Sequence, residues 1–409
     1  MKNRNLICVQ CHEKYEEHFL YECPKCGGIL QVSYKEGFSR KHGQTFFEIC
    51  DHRFSGLWRY RHFLPDVHAK NVVSLGEGCT AVVHAKNVYH KIGIRNLYLK
   101  SEFSNPTASF KDRPTSVGIS VAKEHGIRTV AVASTGNAGV SASAYAAKAG
   151  MKCLVCAPRD TAKGKLAQLT ACGASIFCVD GNYSDCFNMV KEACETFGYV
   201  NLTSTYINPY TVEADKTVAY ELYEQFHGKV PDWIMVPIGT GPLLSGIWRG
   251  YQELKELGYI ENLPRMVGVQ AENCAPIAKA FCGRKKVYAQ PGEGYTIAGG
   301  IADQLEGYEK DGEYTIQQIK DSGGECIALS EQEIFEAWHE LCLKEGIFAE
   351  PAGAVSAGAV KKLVEHQKIG RDDFIVAIIT AHGLKYPDLP NRLENRILTA
   401  AKSTDLRIE

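Results

Sequence analysis

The sequence predicts an α/β protein of two parallel-sheet lobes behind a small cysteine-knuckle module. From about residue 95 to 385, short apolar runs alternate with stretches of helical periodicity, the pattern of parallel strands joined by crossover helices. Those runs are almost continuously apolar, as strands covered on both faces are. Ahead of them, two CxxC pairs lie within the first 35 residues.

The pairs are Cys8-Val-Gln-Cys11 and Cys23-Pro-Lys-Cys26, separated by eleven residues, a spacing close to that of zinc ribbons. Each CxxC turn aims two thiolates at one point, and two turns complete a closed tetrahedral shell with no position left open for catalysis. A redox role fits poorly, because no βαβ unit surrounds these residues. The third CxxC, Cys153-Leu-Val-Cys156, lies in the apolar run 152–157. In a strand, residues three apart point to opposite faces, so this pair is expected to be core packing.

A polar, aromatic connector with Phe46, Phe47, Trp58 and Tyr60 follows the ribbon and is expected to wrap over the main body. Strands are expected at 128–133, 152–157, 175–180, 233–238, 266–271 and 374–380, and helices at 138–149, 163–170 and 212–226. The expected division is a zinc ribbon over 1–35, a large α/β domain over 36–114 and 206–409, and a smaller α/β domain over 115–205.

Composition narrows the function. The chain has 409 residues, of which 46 are basic and 47 acidic, so no net charge draws it toward nucleic acid or an anionic membrane. No apolar run approaches the roughly 18 to 20 residues that span a bilayer, and the opening residues lack an apolar signal core. A cytoplasmic protein is expected, and its sixteen cysteines are expected to be reduced thiols.

In open α/β sheets, chemistry gathers in the loops after the strands. Ala133-Ser-Thr-Gly-Asn-Ala-Gly139 joins a strand to a helix, and its amides, hydroxyls and helix dipole make a seat for an anion. Simple N-capping would also place Ser, Thr or Asn there, but one cap does not need so many. Val236-Pro-Ile-Gly-Thr-Gly-Pro-Leu-Leu-Ser-Gly246 is a second strand–turn–helix, whose glycines allow main-chain amides to approach a phosphate. It lacks the GxGxxG spacing of nicotinamide enzymes. A third turn, Ile379-Thr-Ala-His-Gly-Leu-Lys385, would by itself be an ordinary strand exit. The fourth, Ser104-Asn-Pro-Thr-Ala-Ser-Phe-Lys-Asp-Arg113, carries a lysine beside these anion seats. There, desolvation and neighbouring cations can lower an amine toward its nucleophilic form.

Taken in order, SNPTASFKDR, ASTGNAG, PIGTGP, GIFAEPAGA (346–354) and TAHGLK resemble threonine synthases, within the tryptophan-synthase-β-like group of pyridoxal-phosphate (PLP) enzymes. The resemblance spans about residues 70–390. It implies that Lys111 holds the cofactor as a Schiff base and shuttles protons, that Asn137 bonds the phenolic oxygen, and that Ser134, Thr135 and Gly136 receive the substrate carboxylate. Gly239, Thr240, Gly241 and Leu243 would cradle the cofactor phosphate, and Thr380 would face the pyridine nitrogen. A neutral hydroxyl there favours elimination and replacement over transamination. Ser109, Arg113 and Lys165 are candidates for the departing phosphate. The implied reaction turns O-phospho-L-homoserine and water into L-threonine and phosphate, and the implied assembly is a homodimer.

Pro114 after Arg113, the GTGPLLSG turn and the segment TIAGGIADQLEGY (296–308) depart from the usual threonine synthase forms. They leave open a related PLP enzyme acting on phosphoserine, serine or threonine, of cysteate synthase or ammonia-lyase type.

Overall fold

The computed structural model describes residues 4–16, 19–34, 38–39, 41–134, 136–159, 161, 163–290 and 294–393, with the side chains of residues 91 and 163–165 left aside. Three sheets organise it. The first is a small antiparallel sheet of β1 (Arg4–Cys8), β2 (Lys14–Tyr15) and β3 (Leu30–Tyr34) in the order β2-β1-β3. β4 (Val82–His84) and β5 (Leu97–Ser101) belong to the largest sheet. The chain then builds a four-stranded parallel sheet from β6 (Thr129–Ala133), β7 (Lys152–Pro158), β8 (Ser175–Val179) and β9 (Val200–Asn201), in the order β8-β7-β6-β9. It returns to complete the large sheet with β10 (Trp233–Pro237), β11 (Arg265–Ala271), β12 (Glu325–Leu329) and β13 (Ile375–Ile379). The large sheet runs β12-β11-β10-β13-β5-β4, parallel except for the β4 edge.

Apolar residues on the central strands are buried on both faces. Ile234, Val236, Val376 and Ile378 join the core under the helix Pro242–Glu256, packed with Leu244, Ile247 and Trp248. The alternate residues Met235, Ala377 and Ile379 join the opposite core, with Val355 and Val360 of the helix Pro351–Glu365. That alternation is the strand period of two. By the same rule Cys153 falls in the core with Val130 and Tyr145, and Cys156 in the one with Phe187, on opposite faces of β7.

β8 departs from expectation. It is an edge strand, with Ser175, Phe177 and Cys178 exposed, so it is not covered on both faces. The stretch expected as one helix over 212–226 is two, Pro209–Asp215 and Thr217–Gln225, meeting at the buried Lys216. In the connector Phe46, Trp58 and Tyr60 are buried, whereas Phe47 is 62% exposed, its ring against His52. No described helix is long and apolar enough to cross a membrane.

Candidate active site and metal-ligand cluster

β6, β10 and β13 end at one cavity of about 350 Å³, within the usual range for small-molecule sites. At the end of β6, the Ser134 hydroxyl accepts the amides of Gly136 at 3.1 Å and Gly139 at 2.9 Å, capping the helix Asn137–Ala149. Capping thus claims the Ser134 lone pairs and leaves its proton as the donor. Asn137 opens that helix, and its Nδ2 donates to Glu350 Oε2 at 2.7 Å.

After β10, Ile238–Gly241 lead into the helix Pro242–Glu256. Gly241 has φ +117°, and a Cβ there would lie 2.2 Å from Thr315 Oγ1, so only glycine fits the turn. Gln270 Nε2 donates to Gly239 O at 3.2 Å and Thr315 Oγ1 to Thr240 O at 2.6 Å, fixing the two carbonyls. Thr240 Oγ1 is buried without a hydrogen-bond partner. A buried hydroxyl beside a 15-residue helix's N-terminus suits a phosphate ligand.

After β13, Thr380 faces the cavity beside Gly353, where a Cβ would lie 2.9 Å from Thr380 N and 3.3 Å from its Oγ1. The Lys111 turn is stitched onto this strand end. Phe110 N donates to Thr380 O at 2.9 Å, His382 N donates to Ala108 O at 3.1 Å, and Ser109 and Ala381 form an isolated bridge. Thr107 and Ser141 hydroxyls donate to Asp112 Oδ1, at 2.5 and 2.7 Å, which fixes the start of the helix Asp112–Glu124. Pro114 falls in the first turn of that helix, where the missing N–H costs nothing.

Lys111 Nζ reaches the cavity, donates to Ser204 Oγ, and sits 4.2 Å from the centroid of the Phe110 ring. Burial pushes its amine down to about 8, against the opposing pull of Asp215, Asp303 and Glu350. Burial also raises the Asp303 carboxyl.

Among the residues expected at the site, Lys111, Ser134, Gly136, Asn137, Gly239, Thr240, Gly241, Leu243 and Thr380 line the cavity. Thr135 lies outside the described residues, as does the side chain of Lys165. Arg113 does not reach the cavity. It is fully buried, donating to Glu102 through Nε and Nη2 at 2.7 Å, to Glu221 through Nη1 and Nη2 at 2.7 and 2.8 Å, and to Thr217 Oγ1 through Nη1 at 2.9 Å, so all five N–H groups are used and no donor remains for a substrate phosphate. This corrects the expectation for Arg113. Ser109 is also fully buried and does not line the cavity, its Oγ lacking a partner. Glu350, Asp303, Tyr183 and Ser204 line the cavity although sequence reasoning did not single them out. Glu350 had a signal: an acid just before a proline that opens a helix. Asp303 lies in the segment 296–308 already marked as a departure, whereas Tyr183 and Ser204 had no signal.

In the small sheet, the sulfurs of Cys8, Cys11, Cys23 and Cys26 all lie within 4.8 Å of one another and could hold a metal ion. Cys8 and Cys26 are 3.5 Å apart, and Cys11 and Cys23 3.6 Å. A tetrahedron with bonds of about 2.3 Å has edges of about 3.8 Å. A Cβ on Gly28 would lie 2.8 Å from Cys8 Sγ and 3.2 Å from Cys26 Sγ, so that glycine keeps the sulfur shell open.

Comparison with known proteins agrees with this geometry. Residues 73–381 match the family described as pyridoxal-phosphate dependent enzyme. The chain is similar to the threonine synthase of Methanocaldococcus jannaschii, 40% identical over 93% of each chain. It is 36% identical to that of Methanosarcina acetivorans, over 94% of this chain and 92% of the other. Among solved structures, diaminopropionate ammonia lyase from Escherichia coli superposes with a TM-score of 0.67 at 15% identity, covering 80% of this chain and 94% of that one. At that identity the likeness is one of fold.

Proposed function

The chain belongs to the threonine synthases, pyridoxal-phosphate dependent enzymes, and on that premise we propose that Lys111 and the turns after β6, β10 and β13 are its catalytic machinery. The reaction converts O-phospho-L-homoserine and water into L-threonine and phosphate. The observation that carries the assignment of residues is the Lys111 amine, brought to about 8 by burial in the cavity where the three turns meet.

PLP, when bound, supplies an electron sink for the pair left as a proton departs from a carbon next to the amino group. The chain's residues do the rest. Lys111 is the amine that would hold the cofactor, and an amine near neutrality can both take and return protons along the substrate chain. The amides at the start of the helix Pro242–Glu256 and the unpartnered Thr240 hydroxyl hold its phosphate, with Gly239, Gly241 and Leu243 shaping the cradle. Thr380 supplies a neutral hydroxyl to the ring nitrogen. Asn137 spends one N–H on Glu350 and keeps the other for the phenolic oxygen. Ser134 and Gly136, with Thr135 between them, receive the substrate carboxylate at the positive end of the helix Asn137–Ala149. Lys165 remains the proposed cation for the departing phosphate.

The four-cysteine cluster is proposed to hold a structural Zn²⁺, four thiolates being the donor set of a closed site. The same reading divides the chain into residues 1–35, 36–114 with 206–409, and 115–205, and places it in the cytoplasm. The test is direct. The purified protein should be yellow, and borohydride should fix a pyridoxyl group on Lys111. Phosphate and threonine should form from O-phosphohomoserine in preference to products from phosphoserine, serine or threonine. A colourless protein, or labelling at another lysine, would remove the assignment.

A further inference from the structure

One acidic residue of the ribbon touches both lobes. Glu22 accepts a hydrogen bond from Lys191 at 2.8 Å and pairs with Lys310 at 3.1 Å. Lys191 lies on the helix Tyr183–Phe197, which packs on β6 and β7, whereas Lys310 lies on the helix Glu309–Asp321 beside β11 and β12. Lys310 also donates to Gly27 O at 2.7 Å. The neighbouring Tyr21 hydroxyl donates to Tyr199 O at 3.1 Å and accepts from Asn201 N at 3.0 Å, on and beside β9.

Of the two helices joined by Glu22, one begins at the catalytic cavity and the other is linked to its lining by a hydrogen bond. Tyr183, the first residue of one, lines it. Just ahead of the other, Tyr308 donates to Asp303 Oδ1 at 2.8 Å, and Asp303 also lines the cavity. Phe187 and Tyr308 pack ring on ring between the two elements, 4.5 Å apart. A small gap of about 40 Å³ marks the place where Glu22, Lys191, Phe187, Tyr308 and Lys310 converge.

From these contacts we infer that Glu22 is a positioning residue, through which the four-cysteine cluster sets how closely the two lobes close on the substrate. Glu22 directly precedes Cys23, and Gly27 directly follows Cys26. Described residues 19–28 form neither helix nor strand, and the turn Cys23–Gly28 closes on itself through Cys23 N to Gly28 O at 2.9 Å and Gly27 N to Cys23 O at 2.8 Å, so the sulfur cluster and this turn together shape the loop next to Glu22. Filling the cluster places Glu22 between its lysines, and emptying it lets both helices drift from the cavity. The inference rests on the cavity being the active site.

The test compares Glu22→Gln holoenzyme with the native holoenzyme. KM for O-phosphohomoserine should rise about twofold to fivefold with kcat near native, the scale of a partly exposed charged cluster. Hydrogen exchange, measured without substrate, should quicken at residues 183–187 and 303–311. Removing the metal from native protein with a chelator should reproduce both changes and add little to the variant. Lys191→Gln, outside the ribbon, should show the same signature if Glu22→Gln folds poorly. Glu13→Gln, which breaks the exposed Lys25–Glu13 pair on the same ribbon, should alter neither reading. Native exchange and KM in both Glu22→Gln and Lys191→Gln, or a chelator effect as large in Glu22→Gln as in native protein, would overturn the inference. Quickened exchange in a protein that turns over no O-phosphohomoserine would instead overturn the assigned activity and leave the coupling standing.

Discussion

Asn137 Nδ2 donates to Glu350 Oε2 at 2.7 Å, tying the first residue of a helix in one lobe to the residue that precedes a helix in the other, across the cavity. Glu350 is 3% exposed, so this is a charge-assisted bond in a dry setting. Glu350→Ala should cost about 1.5–3 kcal/mol in kcat/KM, tenfold or more, because the Asn137 amide loses its anchor. Glu350→Gln keeps an acceptor and should cost less. Steady-state kinetics of the pair checks the order, and equal losses would show that charge, not orientation, is what matters.

Lys111→Ala should lower turnover by at least about a hundredfold to ten-thousandfold, the range for loss of a proton-transferring group. Borohydride should then leave no pyridoxyl label in the sequence 104–113. Peptide mapping after reduction checks this.

The pH dependence of cofactor capture by the apoprotein follows from the same amine. Burial lowers Lys111 to about 8, so below that pH most of it is protonated and cannot attack a carbonyl. The second-order rate should therefore climb about tenfold per pH unit up to about 8 and level off above it, whereas an ordinary lysine would keep climbing past 10. Stopped-flow absorbance from pH 6 to about 10 distinguishes the two.

Arg113→Met should destabilise the protein by about 3–5 kcal/mol, since Glu102 and Glu221 would lose the guanidinium that both accept from. Lys100, 2.7 Å from Glu221, offsets only part of that loss. The urea midpoint measures the change, and an unaltered midpoint would mean the network contributes little.

Gly241→Ala should weaken PLP binding as well as stability. The left-handed φ and the 2.2 Å approach to Thr315 Oγ1 force the turn to move, and with it the amides of the phosphate cradle. Equilibrium titration of the apoprotein with PLP checks the loss.

Much of the fold was legible because parallel strands announce themselves. The run 233–238 is strand Trp233–Pro237, and 374–380 is Ile375–Ile379, since buried strands need apolar residues on both faces. β8 reads the same way, but its position at a sheet edge is a property of strand order, which a local window does not contain. The turn residues that line the cavity stood out because glycines and hydroxyls cluster after strand ends. Arg113 misled for the opposite reason. A charged residue next to a reactive lysine looks functional, and only the tertiary fold brings Glu102 and Glu221 to it. Asp303 lay in a segment, 296–308, that stood out only as a departure from the family form, and Ser204 comes from a stretch with no local mark at all.

The Lys111 turn is sewn to the end of β13 and backed by the Arg113 network, whereas Gly299–Ile301, which also lines the cavity, is a short 3-10 turn outside the sheet. Such a layout separates reactivity from selectivity. Mutations at 299–302 that spare Asp303, whose charge pulls on the lysine, leave Lys111 its setting, which makes this segment the natural place to begin re-engineering the enzyme for other amino acids.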